Sequence, residues 1–114
     1  MSDRRADFQE NERPSQRPHI PVLLDQVVES LCPADGEVFV DGTFGAGGYT
    51  RAILERADCA VIAIDRDPDA IKRGQEMKRE FGKRIHLVQG CFGDMGAIVH
   101  HLGHEHVNGI TLDL

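Results

Sequence analysis

The chain has 114 residues, with 13 Lys and Arg against 19 Asp and Glu, giving a net charge of −6 at pH 7. That length suits one small domain, and a hydrophobic content of 40% argues against a wholly disordered chain. An acidic balance gives nucleic acid little electrostatic grip, and no apolar run approaches the ~18 residues of a membrane span.

Residues 1–18 carry Arg4, Arg5, Arg13 and Arg17 against Asp3, Asp7, Glu10 and Glu12, so the negative charge belongs wholly to residues 19–114. This polar tail, without apolar periodicity or a signal-peptide core, is expected to be disordered, and the protein cytoplasmic. A helix is predicted over 21–33, where Leu24, Val27, Val28 and Leu31 recur at helical spacing between Pro21 and Pro33. A short β-rich run, 37–41, leads into a glycine cluster, and a second helix is predicted over 49–57 with Ile53 and Leu54 facing inward.

The continuous apolar run 59–65 is what a strand covered on both faces requires. A third helix opens with Asp67 as N-cap and Pro68 at its first position, presents Ala70, Ile71, Met77 and Phe81 inward, and stops at Gly82. Gly74 falls in its middle, a weakness of about 1 kcal/mol against alanine. A third strand is predicted over 84–90, a short helix over 94–103 and a fourth strand over 108–114. This alternation predicts an α/β fold with a mostly parallel sheet, strand order 3-2-1-4 and helices on both faces. Strand four then lies at an edge with Ile110, Leu112 and Leu114 beside an unpaired backbone, which makes self-association through that edge an expectation. The chain is accordingly expected to be a portion of a longer protein.

Gly42, Gly45, Gly47 and Gly48 lie between the first strand and the second helix. Glycines let a ligand approach bare backbone, and a helix N-terminus offers free N–H groups to a phosphate or carboxylate. The dinucleotide pattern G-x-G-x-x-G would put its third glycine at Thr50, and no P-loop lysine follows. Asp65 ends the second strand 20 residues beyond Gly45, where a carboxylate can take the hydroxyls of a ribose. Phe92, between Gly90 and Gly93, is placed to pack on a purine, and Asp94 is read chiefly as a helix cap. Cys32, Cys59 and Cys91 form no CxxC pattern and are expected to be reduced and mostly buried. His100, His101, His104 and His106 are read as a solvated polar face, with no metal expected.

The stretches "HIPVLLDQVV", "VDGTFGAGGYTRAIL", "AIDRDPDAI", "QGCFGDM" and "GITLDL" resemble, in order and spacing, the N-terminal portion of the bacterial small-subunit ribosomal RNA methyltransferase H, or MraW, family. The resemblance covers about 19–114. It implies a Rossmann-like class I methyltransferase sheet that uses S-adenosylmethionine to methylate N4 of a cytidine in the decoding region of small-subunit ribosomal RNA. It implies cofactor contacts at Gly47, Gly48 and Tyr49 on the methionine side, where the family commonly has histidine in place of Tyr49. Asp65 matches the ribose-binding acid, Phe92 an adenine contact, and Asp113 a cofactor-site acid. Asp41 and Gly45 match the first-strand loop. The target pocket and an inserted helical domain come later in that family, so the chain alone is expected to be inactive, and no catalytic residue is assigned. The competing reading is the NAD-type dinucleotide domain of an oxidoreductase, against which Thr50 argues.

Overall fold

The computed structural model describes residues 24–113. The expected tail, Pro21 and Leu114 lie outside them. The elements run α1 (Leu24–Leu31), β1 (Val38–Asp41), α2 (Gly48–Arg56), β2 (Ala60–Asp65), α3 (Pro68–Phe81), β3 (Ile85–Gln89), α4 (Met95–His101) and β4 (Gly109–Thr111), with short 3-10 turns at Gly82–Arg84 and Phe92–Asp94. The strands form one parallel sheet in the order β3-β2-β1-β4, as the alternation predicts. Val40 stands at its centre, in register with Ile62 on one side and Ile110 on the other.

Side chains alternate across the pleat, so each face of the sheet has its own core. Phe39, Val61, Ala63 and Ile85 pack with Val28 of α1, Ile53 and Leu54 of α2, and Ala70 and Met77 of α3. Val40, Ile62 and Ile64 point the other way, against Val99 of α4 and the half-buried Ile98 and Leu102. A central strand covered on both faces accounts for the unbroken apolar run of β2.

Asp67 accepts a hydrogen bond from the Asp69 N–H at 2.9 Å, Pro68 occupies the first turn of α3, and Gly82 ends the helix with φ of +62°. Arg84 closes the neighbouring helix end. Its guanidinium donates to the carbonyls of Leu54 and Ala57 at 2.5 Å, where α2 stops, and to that of Cys59, just before β2, at 2.9 Å.

The structure corrects several expectations. Of the inward face foreseen for α3, Ala70 and Met77 are buried, but Ile71 and Phe81 are half-buried and Gly74 is buried with them. A Cβ on Gly74 would stand 2.7 Å from Leu87 Cδ2 and 3.0 Å from Phe44 Cε2, so the glycine is there for close packing. Cys32 is exposed, and Cys91 half-buried; burial holds for Cys59 alone. Asp94 occupies the N-cap position of α4 without a side-chain capping bond. The helix expected over 94–103 is split into a 3-10 turn and the seven residues of α4. Strand four is shorter than 108–114, for its ladder stops at Thr111. Ile110 is 48% exposed on this outer strand. Among the described residues no helix is long and apolar enough to cross a membrane.

Candidate functional site

The site forms at the C-terminal ends of the strands, where parallel α/β sheets bind ligands. Its floor is Asp41, the last residue of β1, only 1% exposed. One carboxylate oxygen accepts the Thr43 N–H at 3.2 Å and the other the Thr50 hydroxyl at 2.8 Å. Burial raises its pKa to about 6; the two hydrogen bonds oppose that rise, while the charges of Asp65 and Asp113 add to it. Thr50 therefore has a definite part: it satisfies a carboxylate no water reaches.

The glycine loop wraps this floor. The Phe44 N–H donates to the Ile64 carbonyl at 2.9 Å, and the Phe44 ring enters the core. Gly47 donates back to the Phe44 carbonyl at 2.7 Å and takes φ of +88° as N-cap of α2. Only glycine fits there, since a Cβ would meet Met77 Cε at 2.7 Å and Phe44 Cζ at 3.0 Å. Gly45, with φ of +54°, donates its N–H to Asp65 Oδ2 at 2.7 Å, and Asp65 Oδ1 accepts the Asp67 N–H at 2.9 Å. Asp65 thereby ties the loop after β1 to the loop after β2. Each of its oxygens keeps a second lone pair for a ligand hydroxyl.

Two clefts open beside this carboxylate. One, of about 380 Å³, is walled by Gly42, Thr43, Asp65, Arg66, Asp67 and Phe92. The other, of about 280 Å³, is walled by Thr43, Phe44, Gly45 and Ala46 of the loop, Gly48 and Tyr49 at the start of α2, and Asp65 and Asp113. Thr43 and Asp65 line both, so the clefts adjoin. The Tyr49 side chain is largely buried, and burial pushes its hydroxyl pKa up, helped by the charges of Asp113 and Asp41.

The structure thus brings Gly45, Gly48, Tyr49, Asp65 and Asp113 together at one cleft, and Asp65 with Phe92 at its neighbour. Gly47 lines neither; it shapes the loop from behind. Sequence reasoning missed Thr43, Phe44, Ala46, Arg66 and Asp67 as cleft residues. Thr43, Phe44 and Ala46 sit within "DGTFGAGG" and Arg66 and Asp67 within "IDRDP", so their neighbourhood was visible, though no rule about glycines or acids singles them out. The four histidines contribute nothing here, and no group of three or more His, Cys, Asp or Glu among the described residues could hold a metal ion.

A parallel 3-2-1-4 sheet with a glycine loop after β1 and an acid at the tip of β2 defines a Rossmann-like nucleotide-binding fold, and the solved structures and family below narrow it to the class I methyltransferase type. Solved structures bear out the fold. Precorrin 8W decarboxylase from Methanobacterium thermoautotrophicum superposes with a TM-score of 0.65 at 23% identity, over 89% of this chain and 53% of that one. Geranyl diphosphate methyltransferase, solved in complex with SAM, gives 0.52 at 22% identity over 57% and 28%. The MraW methylase family model matches residues 16–114. The chain belongs to that family. It is 58% identical over 105 residues to the protein called ribosomal RNA small subunit methyltransferase H in Parvibaculum lavamentivorans, which covers 92% of this chain. The chain spans 31% of that relative's length. The alternative reading as an NAD-type domain finds no support in these likenesses.

Proposed function

We propose that the chain forms the S-adenosylmethionine-holding portion of a cytoplasmic methyltransferase of small-subunit ribosomal RNA, whose target is N4 of a cytidine in the decoding region. The observation that carries this reading is the Asp65 carboxylate in the common wall of the two clefts, behind a glycine loop. Membership of the MraW family supports it, as does the likeness to the Parvibaculum methyltransferase H.

The donor set fits the cofactor. Asp65 accepts from two ribose hydroxyls through its remaining lone pairs. Phe92 offers an apolar wall to the adenine in the larger cleft. At the other end, the first N–H groups of α2 and its dipole suit the α-carboxylate, while the Asp113 carboxylate suits the α-ammonium. On the side where a Cβ would stand, Gly45 meets no side chain within 4 Å that would bar a ligand. Bound S-adenosylmethionine supplies an electrophilic methyl group on a cationic sulfonium. The chain's own contribution is alignment: it anchors both ends of that molecule so that the methyl group points one way. The target base has to leave its stack to reach it.

Calorimetric titration with S-adenosylhomocysteine, with NAD as control, tests the proposal. Saturable binding of the first alone is expected, weakened by Asp65→Asn, which keeps the shape of the side chain, and abolished by Asp65→Ala. Equal binding of NAD, or binding of S-adenosylhomocysteine untouched by both substitutions, would overturn it.

A further inference from the structure

The end of β4 is held in an unusual way. In a parallel ladder Gly42 would receive two bonds from β4, donating to Thr111 and accepting from the N–H of Asp113. The first is made, Gly42 N–H to the Thr111 carbonyl at 2.9 Å. The second is not. The Asp113 N–H donates instead to the Thr43 hydroxyl at 2.6 Å. A side chain has replaced a rung, and the strand ends there.

Thr43 is itself held firmly. Its N–H is fixed by the buried Asp41 carboxylate at 3.2 Å, and the next residue, Phe44, is bonded to Ile64 at 2.9 Å with its ring in the core. Gly42, on the other side, is enclosed: a Cβ there would run into Leu112 Cδ2 and stand 3.1 Å from Phe92 Cβ. Leu112 therefore packs towards Gly42 and Phe92, while Asp113 turns to the cleft it shares with Gly48 and Tyr49. Thr43 lines both clefts. A residue 70 positions away in sequence thus holds the backbone at Asp113.

We propose that Thr43 is a positioning residue, a latch whose hydroxyl captures the Asp113 N–H, breaks the β1–β4 ladder and so aims the Asp113 carboxylate at a cationic amino group of the bound ligand. This deepens the S-adenosylmethionine reading and rests on it. The latch matters to ligands that carry the amino acid part and far less to those that carry the nucleoside alone.

Two probes separate these effects: S-adenosylhomocysteine, which has the amino acid part, and 5′-methylthioadenosine, which lacks it. Thr43→Val keeps the shape and removes the hydroxyl. It is expected to weaken S-adenosylhomocysteine about tenfold, the worth of one hydrogen bond near a charge, and to weaken 5′-methylthioadenosine far less. Thr43→Ser restores the first affinity. Asp113→Asn, which keeps the latch and removes the charge, weakens the same ligand by a similar factor. The double variant is no weaker than the worse single one, because an unaimed carboxylate has nothing left to lose. Equal weakening of both probes by Thr43→Val would make Thr43 a residue of general fold stability and overturn the latch. Additive effects of the two substitutions would do the same. Absence of S-adenosylhomocysteine binding by the unmodified chain would overturn the cofactor reading itself, and the latch with it.

Discussion

Replacing Asp41 by asparagine should change how stability depends on pH, with little change in shape. Asp41 is 1% exposed, and burial lifts its pKa from the ordinary 3.8 to about 6. Between those two values the folded chain holds a proton that the unfolded chain has released. Asp41 therefore makes folding less favourable as pH rises through that window, the reverse of an ion-paired carboxylate. The gap corresponds to about 3 kcal/mol lost above pH 6. About 2 kcal/mol of it develops between pH 4 and pH 7.5. Asparagine keeps an acceptor for the Thr43 N–H and turns an amide NH2 towards the Thr50 oxygen, which can accept in place of donating. The variant loses the titration and keeps the network. Urea denaturation of both proteins at pH 4 and pH 7.5 reads the difference directly. Titrating groups remote from Asp41, such as Glu80 with its pKa lowered by Arg51, act equally in both and cancel. Asp41→Asn should gain about 2 kcal/mol on the unmodified chain between the two pH values. A stability difference that stays constant across that range would refute the reasoning, since Asp41 would then be charged throughout or not truly cut off from water.

Three further substitutions test the packing beneath the site by urea denaturation at neutral pH. Gly47→Ala combines a φ of +88° with a Cβ 2.7 Å from Met77 Cε; a loss of about 2 kcal/mol is expected, and an unchanged midpoint would contradict it. Gly74→Ala should cost about 1 kcal/mol, because crowding of Leu87 and Phe44 outweighs the gain in helix propensity; a more stable variant would mean those side chains yield freely. Arg84→Ala removes the donors to three carbonyls between the last turn of α2 and the start of β2, and a loss of about 2 kcal/mol is expected; a loss below about 0.5 kcal/mol would show that water replaces the guanidinium without cost.

Much of the architecture was legible in local patterns, for physical reasons. β2 had to be covered on both faces because no polar residue interrupts it before Asp65. The caps of α3 were visible because Asp67, Pro68 and Gly82 each suit one backbone position and little else. The strand order was the one such a half-sheet usually adopts. Gly74 was misjudged because helix propensity is a local quantity, whereas the space beside that residue is set by Leu87 of β3 and Phe44 of the loop. The extent of β4 was misjudged for a related reason: "GITLDL" has the composition of a strand to its end, and what stops it is a hydroxyl on another strand's loop.

The same distinction runs through the site. Asp65 could be placed in the cleft wall because it ends a strand a fixed distance after a glycine loop. Asp41 and Thr43 carry no such signal. Their parts come from one buried carboxylate that takes two hydrogen bonds at once and leaves the Thr43 hydroxyl facing β4. The glycines make room for a ligand; the acids and threonines around Asp41 decide which atoms face it. If that division holds, substitutions at the glycines should change stability and binding together. Substitutions at Thr43 should change only which ligands are held, with the fold left standing.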